Sequence, residues 1–254
     1  MISDHAVALI DEDLPSYHSV RRQGRGRIAV VQTHGKSVVR SAYATSPLRL
    51  LTPKNHGHAA WIYTSSYGGG LVDGDIVTVQ ATVGPHAAAF LSTQSATKVY
   101  RSPHGTEVEL RATVEDGGVL VSMPDAVVCF AGARYRQTQR VNLVGGAGLI
   151  LLDWMTSGRR ESGERWAFNE YLSRTSIHLD GHLKVYDSLA LRASDGKLAT
   201  RLNPYDVLAV VVVIGQLFQK HSDRAGEGEA IGNLGLVYQS KGELDRAVKL
   251  YTQA

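Results

Sequence analysis

The chain has 254 residues, enough for one large domain or two small ones, and its 43% apolar and 20% charged composition is that of a globular protein with a sizeable core. Lys plus Arg number 27 against 24 Asp plus Glu, an excess too small to argue for nucleic acid or a membrane surface as partner. A lone cysteine, Cys129, excludes an internal disulfide, and the first residues lack the basic-then-apolar pattern of a secretory signal, so a cytoplasmic protein is expected.

Near the start, acidic Asp11, Glu12 and Asp13 precede a basic cluster at Arg21, Arg22, Arg25 and Arg27, and a second cluster falls at Arg134, Arg136 and Arg140. Both clusters read as solvated surface, with an acidic protein partner as the functional alternative. From about Arg27 to Leu191 the hydrophobic period is two, the mark of strands with one buried face. Val108, Leu110, Ala112 and Val114 alternate with Glu107, Glu109, Arg111, Thr113 and Glu115.

Asp116-Gly117-Gly118 then predicts a tight turn into a returning strand, Val119 to Met123. The same pattern recurs around Gly145-Gly146, between Val141/Leu143 and Leu149/Leu151, and around Asp180-Gly181, between Ile177/Leu179 and Leu183/Val185. Successive hairpins without long helices predict a mainly β, antiparallel domain with few helices over residues 1–219.

Pro204 to about Gln219 reads as a helix of three to four turns, since proline suits a first helical turn; the four valines Val210 to Val213 keep a buried strand open as the alternative. Its longest apolar run, Val207 to Ile214, is far short of the roughly 20 residues that span a bilayer. Residues 220–228 are polar and read as a linker. Residues 229–254 then turn helical in period, with Asn233-Leu234-Gly235, Tyr238, Gly242, Ala247, Tyr251 and Ala254 matching the spacing of a single tetratricopeptide repeat. One repeat cannot bury a continuous core, so this two-helix hairpin is expected to dock or fray. A protein–protein interaction module acting through that tail is the alternative function.

Catalytic signatures are missing: there is no G-x-S-x-G elbow, and Gly68-Gly69-Gly70 lacks the Gly-Lys-Ser/Thr that closes a phosphate loop. Two histidine pairs are candidate metal ligands, His56 with His58 on one face of a strand and His178 with His182 across the Asp180-Gly181 turn. Neither pair has a third ligand nearby in sequence, so surface or hydrogen-bonded histidine is the favoured reading of both. Cys129 lies in the apolar run Val127 to Phe130 and reads as a small buried hydrophobe.

Five polar-aromatic blocks escape periodicity: Ser46 to Arg49, Gly68 to Asp75, Thr93 to Arg101, Pro124 to Ala133 and Gly158 to Trp166. Their G-G-x-x-x-G-D, T-Q-x-x-T-K-x-Y, P-D-x-x-x-C-F and G-R-x-x-x-G-E patterns, in that order, resemble the UreD/UreH family of urease accessory proteins over about residues 27–217. The resemblance implies a mainly β scaffold that hydrolyses nothing and holds no permanent cofactor. It implies binding to urease apoprotein together with UreF-type and UreG-type partners, with no nucleic acid or membrane, and it allows a homodimer within the complex.

Nickel would pass transiently through a water-filled path inside the scaffold. Asp75 and Glu164, closing two of the blocks, are the carboxylates this resemblance offers for lining that path, with Asp73 and Glu161 as the fallback pair. The structural alternatives are that Asp75 caps the turn into Ile76–Val83 and that Glu164 pairs with Arg159. Family members continue past residue 218 where this chain changes character, so the β domain is expected to be incomplete at its C-terminal end.

Overall fold

Period-two alternation resolves into two facing sheets in a computed structural model, which describes residues 22–54 and 57–215. In chain order the strands are β1 (Gln23–Thr33), β2 (Lys36–Ala44), β3 (Leu48–Leu51), β4 (Ala60–Ser66), β5 (Ile76–Val83), β6 (Ala88–Thr93), β7 (Thr97–Val99) and β8 (Thr106–Val114). They continue as β9 (Val119–Ser122), β10 (Val127–Cys129), β11 (Arg134–Leu143), β12 (Gly148–Thr156), β13 (Glu170–Leu179), β14 (His182–Arg192) and β15 (Val207–Ile214). One short helix, α1 (Leu198–Arg201), lies between β14 and β15.

The first sheet has the order β14-β13-β11-β8-β5-β1-β2. The second runs β3-β4-β6-β9-β12-β10-β7, with β15 paired to β12. Both sheets are mixed, and their centres are parallel: β1, β5, β8, β11 and β13 in the first, β4, β6, β9 and β12 in the second. The antiparallel expectation is therefore corrected. Antiparallel pairing is confined to β1–β2, β3–β4, β12–β15 and β13–β14.

The reason lies in the turns. Glycine turns do follow β8 and β11, but each sends the chain into the opposite sheet instead of back along the strand just left, so β8 and β9 are not partners and neither are β11 and β12. The chain winds as a flattened coil, and each corner stacks on the one before. His86 N–H donates to Asp116 O, Val119 N–H to Ala87 O and Gly148 N–H to Gly118 O. Asp116 Oδ1 also accepts from Gly146 N–H at 2.7 Å.

Corner positions Val83, Val114 and Leu143 align across neighbouring strands, roughly thirty residues apart in sequence. Only the Asp180-Gly181 turn makes the expected hairpin among these three, with both residues at positive φ as a two-residue type I′ turn demands.

The core lies between the sheets, where inward positions of β8, β11, β12 and β13 bring together Val114, Leu143, Leu149, Leu151 and Ile177, all essentially inaccessible. Apolar burial of this kind contributes roughly 25 cal/mol per Å² and is the main stabilising term. Residues 207–214 form a strand, correcting the expected helix: its β-branched valines lie antiparallel along β12 from Leu149↔Ile214 to Thr156↔Val207. The linker at 220–228 and the repeat-like hairpin at 229–254 lie outside the described residues. Among the described residues no helix is long and apolar enough to cross a membrane.

Candidate functional site

The five blocks are distant in sequence and adjacent in space. Leu71 N–H donates to Lys98 O and Tyr100 N–H to Leu71 O, joining the glycine block to the T-Q-x-x-T-K block. Gly70 is required there, since a Cβ would stand 2.8 Å from Lys98 O and 2.6 Å from the Tyr100 ring. β7 pairs with β10, and Phe130 N–H donates to Val99 O, adding the P-D-x-x-x-C-F block. Tyr100 meets the Phe130 ring edge-on at 5.1 Å, and the Arg159 guanidinium sits 4.1 Å above the same ring. That arginine begins the G-R-x-x-x-G-E block. Tyr67 N–H donates to Pro47 O, which ties in the first block.

Within this cluster the carboxylates have defined partners. Asp75 is buried; its Oδ2 accepts from Val72 N–H at 2.9 Å while its own N–H donates to Val72 O, the turn-capping geometry. Its Oδ1 is buried with no hydrogen-bond partner among the described residues. Asp73 accepts from His104 N–H at 2.8 Å and meets His104 Nδ1 at 2.7 Å. Burial works against the Asp73 anion, but the bonds and charge from His104 outweigh it and hold the pKa below the usual value.

Glu164 accepts from both nitrogens of the Arg159 fork and from Ala131 N–H at 3.2 Å, and the arginine bond is the main reason its pKa is lowered. Glu161 is exposed in the 3₁₀ turn Arg160–Ser162. Asp206, just before β15, is bonded by Arg165 at 2.6 Å and Arg160 at 2.8 Å, which anchors that strand to the same block.

A carboxylate outside these blocks occupies the interior. Asp153 is an inward position of β12, in line with Leu149, Leu151 and Met155. It is buried between the sheets, where Ser173 Oγ donates to Oδ2 at 2.5 Å and Tyr171 Oη to Oδ1 at 3.4 Å, both from β13 of the opposite sheet. Tyr135 Oη donates to Gln137 Oε1 at 2.9 Å, extending the polar network along β11. Desolvation raises the Asp153 pKa, and the hydrogen bonds from Ser173, Gln137 and Tyr171 counter it only in part.

Asp153 and Gln137 line a cavity of about 160 Å³ whose other walls include Ser122, exposed Ser95 and exposed Asp125. The cavity joins the buried carboxylate to a mouth formed by the T-Q-x-x-T-K and P-D blocks. It has room for several waters and polar groups to hold them.

The sequence profile of the UreD urease accessory protein family matches residues 22–244. The chain belongs to the UreD urease accessory protein family. It is 47% identical over 194 residues to the urease accessory protein UreD of Sorangium cellulosum, covering 76% of this chain and 62% of that protein. It is 43% identical over 196 residues to UreD of Anaeromyxobacter, covering 76% and 66%. To urease accessory protein D of Arabidopsis thaliana it is 36% identical over 198 residues, covering 75% and 67%. The chain thus spans roughly two thirds of the length of these UreD proteins.

Against this UreD membership, the histidine candidates part company. Strand pairing sets Leu179 opposite His182 and His178 opposite Leu183, so alternation sends the two imidazoles to opposite faces of the hairpin instead of bringing them together. His56 lies outside the described residues, so the His56/His58 pair is not described. Among the described residues no three of His, Cys, Asp and Glu are grouped closely enough to hold a metal ion. Cys129 is buried, and desolvation pushes its thiol well above the usual range, so it is a core side chain. Asp153 is the residue sequence reading missed. Its signal was present as a carboxylate in the register of an apolar strand face.

Proposed function

We propose that this chain serves urease maturation as a scaffold that turns over no substrate of its own and passes nickel, its cargo, through the space between its sheets. The partners in this reading are urease apoprotein and UreF-type and UreG-type accessory proteins, in a reducing, cytoplasmic setting. Family membership and the 47% identity to a urease accessory protein support the role. The observation that carries the path is Asp153, a buried carboxylate on the wall of a largely apolar cavity that reaches the surface at the family blocks.

The chemistry follows from the raised pKa. A carboxyl whose pKa is raised by burial holds its proton more tightly than an ordinary one, and losing it creates an anion beside a divalent cation, so cargo entry and proton release are coupled. A single carboxylate with neighbouring hydroxyl and amide oxygens binds a borderline cation weakly, which suits transfer better than storage. Asp75, which does not line the cavity but has a buried Oδ1 without a hydrogen-bond partner among the described residues, is the second carboxylate in this reading. Glu164 belongs to the same reading as an anion whose arginine would have to be exchanged for cargo, with Asp73 and Glu161 as the fallback pair at the surface.

Co-expression of the chain with urease subunits and the other accessory proteins tests the role. The expected outcome is urease with a higher nickel content than urease made without the chain; equal nickel content in both preparations would remove it.

A further inference from the structure

The outer face of the first sheet, away from the cavity, gathers the basic clusters that stand apart in sequence. Arg25 and Arg27 on β1, Arg111 on β8, Arg136 and Arg140 on β11 and Arg174 on β13 all fall on the exposed side of the alternation. Strand register places them in rows. Tyr43, Arg27, Gln80, Arg111, Arg140, Ser176 and Tyr186 lie side by side across all seven strands. The neighbouring row holds Arg25, Thr78, Glu109, Thr138 and Arg174.

The fold leaves this charge under-compensated. Glu109 is shared by Arg111 at 2.8 Å and Arg140 at 3.9 Å, and Glu107 meets Arg136 at 3.6 Å. Arg27 and Arg174 have no carboxylate partner among the described residues. Arg111 and Arg140 sit directly opposite each other on adjacent strands, a like-charge pair that the sheet alone does not favour. Their side chains are 51% and 58% exposed, and Tyr43 and Tyr186 at the two ends of the row are each 61% exposed.

We propose that this face is a docking surface for an acidic protein partner. Planar guanidinium forks match carboxylates two bonds at a time, and arginine and tyrosine are the residues that anchor protein interfaces. At about 4.8 Å between strands the row spans about 29 Å. Over four alternate positions the face is about 20 Å long, on the order of the ~800 Å² that each side of a standard interface contributes. Glu107 and Glu109 within the face oppose a phosphate backbone but pair readily in a mixed protein interface, so protein fits better than nucleic acid. The inference is independent of the nickel path, since charge alone specifies the partner.

The test uses the full chain and fluorescein-labelled poly-L-glutamate as probe, read by fluorescence anisotropy at low salt. Three variants are compared with the parent. The first is R27Q/R111Q/R140Q/R174Q; the second makes the same four positions lysine; the third, R49Q/K54Q/K197Q/R201Q, removes four exposed charges away from the first sheet. The parent is expected to bind, the first variant to bind about tenfold more weakly, the lysine set to fall between them, and the third to stay within about twofold of the parent.

Absence of binding by the parent, or equal weakening in the first and third variants, would overturn the proposal. If the glutamine set does not fold, by circular dichroism, the lysine set decides: affinity equal to the parent rejects the arginine-fork surface. Tighter binding of an oligothymidylate than of poly-L-glutamate, lost in the same variants, would replace the proposal with a nucleic-acid surface.

Discussion

Asp153 shows how one side chain can carry a cost that the fold does not need. Its neighbours on the same strand face, Leu149, Leu151 and Met155, are apolar and almost inaccessible, and an aliphatic residue there would meet no desolvation penalty and an amide a smaller one than a carboxylate anion. Its raised pKa fixes the sign of the pH dependence. Below about pH 4 the group is protonated in both folded and unfolded chains and contributes nothing. As pH rises past the unfolded value, the unfolded chain gives up its proton first and stability falls, until the folded pKa is passed and the penalty is complete. Asp153→Asn should therefore melt at the parent's temperature near pH 4 and a few degrees higher at neutral pH, at about 2–4 °C per kcal/mol. Thermal unfolding of both proteins across that range is the check; an Asn variant that melts lower at neutral pH would mean the carboxylate is structural.

At the scale of elements, the corners between the sheets determine the topology. Gly118 N–H donates to Glu115 O, and Gly148 N–H donates to Gly118 O, so one corner supports the next. A Cβ at Gly118 would stand 2.8 Å from Glu115 O and 2.9 Å from Gly84 O, both backbone atoms that cannot rotate away. Gly118→Ala should cost about 1–3 kcal/mol by overpacking, read as a lower denaturant midpoint; an unchanged midpoint would show that the corners do not set the stack.

These corners also mark what sequence could and could not disclose. The alternation of strands such as 108–114 and 177–185, their buried faces and the turn glycines beside them are legible, because alternation and positive-φ residues leave local traces. Whether Asp116-Gly117-Gly118 folds its strands together or sends them to opposite sheets was not legible, since both outcomes bury the same alternate positions. The repeat of Val83, Val114 and Leu143 at near-equal spacing was the available clue to a coil. Pro204 suggested a helix start, but the valines that follow are buried along β12, and packing overrode the local signal. Of the site, the blocks were legible through resemblance. Asp153 was not, because a single carboxylate inside an apolar alternation looks like noise until the opposite sheet supplies Ser173 and Tyr171.

Taken whole, the molecule carries an arginine-rich face that its small net charge conceals. The first sheet turns an arginine-rich face outward, and the space behind it holds a largely apolar cavity, with Asp153, Gln137 and Gln139 on its wall, that opens among four of the five blocks. In the proposed reading an acidic protein would be held on one side while an ion moves through the interior, because the two regions lie largely on opposite faces of the first sheet, with Glu109 the residue common to both. The strand β15, tied by Asp206 to Arg160 and Arg165, closes the second sheet beside the same blocks.

The most direct measurement is the nickel bound per urease active site after co-expression with Asp153→Asn, beside the parent and a preparation made without the chain. The account predicts a folded variant, more stable than the parent at neutral pH, that leaves urease at the nickel level of the preparation lacking the chain. Full nickel loading by that variant would contradict passage of the ion along the cavity.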